Sequence, residues 1–256
     1  MNWKGRTALI TGGAKRIGRE IGLRLAQEGI NIVFSYRSSQ EEARTTEREI
    51  RKLGAKAMAV EADLNRLDQC ERLIAQSRQL FRRIDILVNN ASDFPRTPLA
   101  ELINDRADFK LKLDQQVGVH MGAPLYLGMQ LGLEMKRNGW GRIVNLTDAA
   151  AATGSAYKNY PLYLATKYGL HGLTQVLAVE LAPEVTVNSI APGFIRAPDH
   201  YSALTVEKLR EKVPLQREGG EAEIAEDVWF VIRSEFKTGS VILTDGGVAA
   251  HTESSG

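Results

Sequence analysis

The chain has 256 residues, 43% hydrophobic and 25% charged, an ordinary globular composition with enough apolar material for a sizeable core. Lysine and arginine number 33 against 31 acids, so the formal charge of +2 excludes a bulk electrostatic argument for nucleic acid or an anionic membrane as partner. A single cysteine, Cys70, excludes an internal disulfide and a cysteine-based metal cluster, and no metal is expected.

From the start, MNWKGRTALITGG has no long apolar run behind its basic residues and reads as a first strand, not a signal peptide. No segment approaches the ~20 uninterrupted apolar residues that cross a bilayer. A soluble cytoplasmic protein is therefore expected. The predicted strands, in order, are TALIT (7–11), NIVFSY (31–36), KAMAVEA (56–62), IDILVNN (84–90), GRIVNLT (141–147), VTVNSI (185–190) and SVILT (240–244). Helix-period segments separate them, and the first two end at Gly29 and Gly54, as a C-terminal cap requires. Cys70 lies in such a segment, 66–81, and reads as a small buried apolar residue.

Near-continuous apolar strands between helices predict an α/β fold, a doubly wound Rossmann-type parallel sheet of seven strands with helices on both faces. One domain over 1–250 with a flexible tail, 251–256, is expected, since no linker or repeat interrupts the pattern. The irregular stretch 194–220, with Pro198, Pro214 and a charged helix-like segment at 205–212, is expected to lie over the site as a substrate loop. In such open sheets ligands sit outside the carboxyl ends of the strands.

TGGAKRIG (11–18) follows the first strand and opens a helix. Glycines let the backbone approach an anion while free N–H groups and the helix dipole favour it, the physical basis of pyrophosphate binding. A glycine turn alone is equally compatible with a tight turn and no ligand. The second strand ends in SYRSS, with Arg37 and Ser38 and no acid at its tip, and Lys15 stands in the turn. An arginine there suits a 2′-phosphate, so NADP(H) is expected over NAD(H).

TGGAKRIG, ADL at 62–64, NNAS at 89–92, GRIVNL at 141–146, Tyr163 with Lys167, APG at 191–193 and DGG at 245–247 occur in one order. Across essentially the whole chain this resembles the short-chain dehydrogenases/reductases. Within that family the sequence is most similar to pteridine reductases and dihydromonapterin/dihydrofolate reductases. Arg16 stands where the larger family commonly has glycine, Phe94 follows NNAS, and Asp148 in LTD takes the place of the catalytic serine.

The resemblance implies cofactor contacts from Gly12, Lys15, Arg16, Ile17 and Gly18, from Tyr36, Arg37 and Ser38, and from Asp63 and Leu64. It adds Asn90, Ala91 and Ser92 and, after the sixth strand, Pro192 and Gly193. It further implies a pterin or folate substrate bound by Arg16, Phe94, Asp148 and Tyr163, catalysis by Asp148, Tyr163 and Lys167, and a homo-oligomer, commonly a tetramer.

Tyr163 and Lys167 are four positions apart and share a helical face, whereas Tyr160 is seven away and is expected to pack or line a pocket. An ammonium at ~4 Å in a dielectric of ~20 favours a phenolate by ~4 kcal/mol before screening, so Lys167 is expected to lower the Tyr163 pKa. An ionised carboxylate only accepts hydrogen bonds and cannot polarise a ketone as a serine would. Asp148 therefore suits an imine-like ring with N–H groups, with hydride from nicotinamide and a proton to a ring nitrogen.

Two departures from the family stand out. His120, in VHMGAP, occupies a helical position where the family often has an asparagine, and is either a satisfied core histidine or a relay. The 149–162 spacer looks long and is expected to form a flexible flap. Two rival readings remain. One is a carbonyl or 3-oxoacyl thioester reductase in which Thr147 or Ser155 replaces the missing serine; the other is a non-catalytic NADP(H)-binding protein.

Overall fold

The computed structural model describes residues 2–198 and 201–250. The expected tail, 251–256, lies outside the described residues, as do two positions of the 194–220 stretch. Among the described residues seven strands form one sheet in the order β3-β2-β1-β4-β5-β6-β7. They are β1 (Thr7–Ile10), β2 (Asn31–Tyr36), β3 (Ala57–Glu61), β4 (Ile86–Asn89), β5 (Gly141–Leu146), β6 (Val185–Pro192) and β7 (Val241–Thr244). Every neighbouring pair is parallel, in registers such as Leu9 opposite Val33 and Leu87 and Asn89 opposite Asn145. The doubly wound parallel sheet expected from the strand pattern is the one observed.

Among the described residues ten α-helices cover and edge it: α1 (Arg16–Gln27), α2 (Gln40–Lys52), α3 (Leu67–Leu80), α4 (Leu99–Leu102), α5 (Arg106–Val117), α6 (Ala123–Arg137), α7 (Ala149–Thr153), α8 (Pro161–Glu180), α9 (Ala203–Glu211) and α10 (Glu221–Arg233). Side chains alternate across the pleat. Ala8 and Ile10 point to one face, where they pack with Ile21 and Leu25 of α1, Ile50 of α2 and Ile224 and Val228 of α10. Leu9 points to the other and joins Leu73 of α3, Leu127 and Leu131 of α6 and Leu177 of α8. Each fully buried Leu, Ile or Phe contributes roughly 1.5–3 kcal/mol against exposure, which is why both faces must be covered. Cys70 belongs to the second layer, with its thiol pushed up to about 11 first by burial and then by the charge of Asp63.

The strand order reverses between β1 and β4, so the loops leaving their carboxyl ends diverge and open a crevice. Gly29 and Gly54 close α1 and α2 with φ of +78° and +87°, the left-handed conformation that glycine adopts freely. A π-helical turn, Gly118–Gly122, interrupts the run from α5 to α6 and carries His120 into the interior. Such one-turn insertions are common at functional sites.

Candidate active site

The turn after β1 is built by steric necessity. Gly12 has φ +66°, and a Cβ there would lie 2.9 Å from the Ala91 Cα; one on Gly18 would lie 2.3 Å from the Gly12 carbonyl oxygen. The backbone is pinned from three sides: Gly13 N–H donates to Ser35 O at 2.9 Å, Gly12 N–H to Ser35 Oγ at 3.2 Å, and Asn90 Nδ2 to the carbonyls of Thr11 and Gly12 at 2.9 and 3.0 Å. Thr11 Oγ1 accepts from the N–H groups of Asn90 and Ala91. These contacts shape a glycine cradle at the start of α1, where Lys15 and Arg16 are exposed and Arg16 has φ +52°.

At the tip of β2 Tyr36 is half-buried while Arg37 and Ser38 are exposed, and neither Arg37 nor Lys15 is committed to an ion pair among the described residues. After β3, Asp63 accepts from the side chain and the N–H of Asn65, and Leu64 is buried. At the end of β6, Pro192 leads into Gly193, whose N–H donates to Thr244 O at 2.9 Å and whose missing Cβ leaves room for Asp245. Ile17 packs on the first core layer. A cradle that any Cβ would fill, at the start of a helix, fits the pyrophosphate of a dinucleotide.

At the far side of the crevice the structure brings Asp148, Tyr163 and Lys167 together. Asp148 leaves β5 and caps α7: one carboxylate oxygen accepts the Ala150 N–H at 2.8 Å, and the other lies 3.2 Å from both the Tyr163 and the Tyr157 hydroxyl. The 149–162 spacer thus opens with a capped helix, Ala149–Thr153, closed at Gly154 with φ +74°, and runs on as turn and irregular chain to Tyr160, so the expected flap is corrected only over its first five residues. The physical reason is that Asp148 supplies the N-cap acceptor, while the alanines after it favour helix.

Lys167 is 2% exposed and donates from Nζ to Leu146 O at 2.7 Å, with Nζ 5.5 Å from the centre of the Tyr163 ring. Burial lowers its pKa to about 8, against the opposing charge of Asp148. Tyr163 is held well above the ordinary phenol value, first by burial, then by the charges of Asp148 and Tyr157. The expected lowering is therefore reversed, because burial and the neighbouring carboxylate of Asp148 both resist ionisation of the phenol. A phenol that keeps its proton is a suitable donor.

Phe94 is 42% exposed and meets the edge of the Tyr163 ring at 4.7 Å. Its face is stacked on Tyr160 at 4.2 Å and 9°. Tyr160 is thus an aromatic wall, and its hydroxyl meets that of Tyr201 at 3.1 Å, bringing the 194–220 segment to the site. Two groups were not anticipated beside this cluster: Tyr157, which lies on a spacer with no periodic signal and meets Asp148, and Ser92, which the motif had assigned to cofactor contact and whose hydroxyl lies 2.9 Å from His120 Nε2. Neither hydroxyl suggested as a serine substitute is at hand: Thr147 Oγ1 is buried and donates to Ile190 O, and Ser155 Oγ pairs with Thr153 at the surface. A groove among Thr7, Asn31, Lys56 and Arg83 lies at the opposite end of the sheet and touches none of these residues.

A doubly wound parallel sheet with a glycine cradle at its switch point and a buried tyrosine and lysine beside it defines the class of NAD(P)-dependent oxidoreductases. The family profile described as enoyl-(acyl carrier protein) reductase matches residues 12–249. The chain is 32% identical over 252 residues to the 3-oxoacyl-(acyl-carrier-protein) reductase FabG of Staphylococcus epidermidis, covering 95% of this chain and 98% of that one. The 3-oxoacyl-(acyl-carrier-protein) reductase of a Synechocystis species is 32% identical over 250 residues, 95% and 96% of the two chains. A crystal structure of acetoin dehydrogenase from Enterobacter cloacae superposes with a TM-score of 0.86 at 29% identity over 99% of both chains. The chain belongs to the short-chain dehydrogenase/reductase family. Among the described residues no helix is long and apolar enough to cross a membrane.

Proposed function

We propose that this chain is an NADPH-dependent reductase of a pterin-type ring (dihydropterin, dihydrofolate or biopterin) that protonates a ring nitrogen. The observation that carries the reading is the 3.2 Å contact between Asp148 Oδ2 and the Tyr163 hydroxyl. A carboxylate beside the donor tyrosine cannot donate to a ketone oxygen, but it accepts an N–H readily. Tyr163 keeps its proton until a ring nitrogen takes it, and Asp148 orients both partners. Lys15, Arg37 and Ser38 would hold the 2′-phosphate, and the turn from Gly12 to Gly18 the pyrophosphate. When bound, the cofactor supplies the hydride. Phe94 already carries Tyr160 on one face, so a flat heterocycle would take the other face or displace Tyr160.

The second reading is a 3-oxoacyl thioester reductase, favoured by the names of relatives 32% identical to almost the full chain. It requires a hydroxyl donor next to Tyr163, and Thr147 and Ser155 are engaged elsewhere. Turnover of dihydropterin, dihydrofolate and an acetoacetyl thioester with NADPH decides between them. The pterin reading expects kcat/KM at least ~10-fold higher on a pterin, the discrimination a polar site makes when its hydrogen bonds are matched. The reverse order would transfer the function to the thioester, and tight NADPH binding with no oxidation on any of the three would leave a binding protein. We further propose a homotetramer, supported by exposed apolar side chains on α5 and α8, among them Leu111, Val176 and Val179. Light scattering on the purified chain tests it.

A further inference from the structure

Asp148 Oδ2 serves two phenols at once. The hydroxyls of Tyr163 and Tyr157 each donate to it at 3.2 Å, while Oδ1 takes the Ala150 N–H at 2.8 Å. The proposed reaction uses one of those phenols and leaves the other without a part. They differ in their access to water: Tyr163 is 8% exposed and Tyr157 39%, so one carboxylate oxygen links a sealed tyrosine to a tyrosine that reaches the surface. Tyr157 lies on the irregular chain between α7 and α8, yet aromatic neighbours place its ring, 5.6 Å from that of Tyr160 and 6.4 Å from that of Phe94. Lys167 and His120, which also lie against Tyr163, lead nowhere outward. They are 2% and 1% exposed, with Lys167 Nζ on Leu146 O and His120 Nδ1 beside Thr166 Oγ1, and the Tyr160 hydroxyl turns to Tyr201.

From this geometry we infer that Tyr157 is a positioning residue that works through Asp148, the outer end of a proton relay that refills Tyr163 after each turnover. When the substrate takes its proton, the Tyr163 O–H bond breaks and a phenolate is left in a buried site. Desolvation makes that phenolate costly. The proton of Tyr157 passes to Asp148 Oδ2 and from there to the Tyr163 oxygen. The Tyr157 O–H bond breaks, the Tyr163 O–H bond re-forms, and Asp148 ends as the carboxylate it was. Negative charge has moved from the sealed phenol to the exposed one, where water solvates it and returns a proton. One proton enters from solvent for each one delivered, and the relay neither oxidises nor reduces any group. Burial, then the charge of Asp148, holds both phenols above the ordinary value, which agrees with both being protonated when a turnover begins. The inference rests on the proposed reading of Tyr163 as the proton donor of a reductase, whichever of the two substrates is reduced.

The test separates the first turnover from the later ones. Tyr157→Phe removes one oxygen and keeps the ring beside Phe94 and Tyr160. In stopped flow on dihydropterin, followed by NADPH absorbance, its first turnover should run at the wild-type rate, because Tyr163 starts with its own proton. The steady rate after it should fall ~10-fold, an order below the loss on removing a direct proton donor. Tyr157→His, whose imidazole exchanges protons with water near neutral pH, should recover most of the steady rate, and added imidazole should do the same for Tyr157→Ala. A steady rate in Tyr157→Phe equal to wild type, or first and later turnovers slowed alike, would overturn the relay. If wild type reduces the acetoacetyl thioester and no pterin, the pterin reading fails while the same two phases, read on the thioester, still decide the relay. No turnover of either by wild type sinks both. Should Tyr157→Phe lose its fold by circular dichroism, Tyr157→Ala decides, and a steady rate that does not respond to imidazole counts against the relay.

Discussion

The two ends of the crevice are made in different ways. The cofactor end is a backbone object: Gly12, Gly13 and Gly18 are required because neighbouring chain already fills the space a side chain would take. The proton end is a side-chain object, in which Asp148 from β5, Tyr163 and Lys167 from α8, Ser92 from the loop after β4 and His120 from the π-helical turn meet from four places in the chain. A backbone cradle needs few residue identities and gives them in one short run. A polar cluster needs each member satisfied by others remote in sequence, so changing one alters the protonation of the rest.

That contrast can be broken at either end. Tyr163→Phe and Asp148→Ala should each lower kcat on dihydropterin by at least ~100-fold, the size of a general-acid contribution, and near-normal stopped-flow rates in both would remove the proton-centre assignment. At the other end, Gly18→Ala drives a Cβ to 2.3 Å from Gly12 O and 2.5 Å from Asn90 Nδ2. An overpacking cost of about 3 kcal/mol should appear as a lower melting temperature and ~100-fold weaker NADPH binding. Gly172→Ala, with nothing within 4 Å of the new methyl, is the control that should leave both unchanged or slightly improved.

Smaller effects sharpen the comparison. The Lys15→Ala, Arg37→Ala double variant should lose at least ~10-fold of its preference for NADPH over NADH, measured as the ratio of kcat/KM for the two cofactors. The smallest is a pH effect. Burial depresses Lys167 from its ordinary value to about 8, so its ammonium is present below that pH and is lost above it. Activity that depends on the charge should be about halved near pH 8 and keep falling as pH rises. Lys167→Arg, which stays charged, should move that limb upward, and an identical profile in the variant would separate the charge of Lys167 from the reaction.

Much of this was legible in the chain. The seven strands were legible because buried parallel strands are continuous apolar runs, and β2 falls at 31–36 as expected. Asp148, Tyr163 and Lys167 were legible because each sits at a fixed point of a family pattern, just after β5 or on one face of α8. The short helix at the start of the expected flap was not legible because an alanine-rich run shows no amphipathic period, and only the Asp148 cap fixes Ala149–Thr153 as helix. The Lys167 effect was misjudged because burial, the larger influence on Tyr163, is a property of the packed core.

By itself the sequence determined the layered parallel sheet, the glycine cradle and the carboxylate in place of serine, since periodicity, tight turns and residue type are local properties. Only the tertiary structure decided the protonation of Tyr163, the neutrality of His120 and the meeting of His120 with Ser92 and Thr166. Those depend on desolvation and on donors and acceptors brought together from segments as far apart as positions 92 and 166, and no local pattern encodes that meeting.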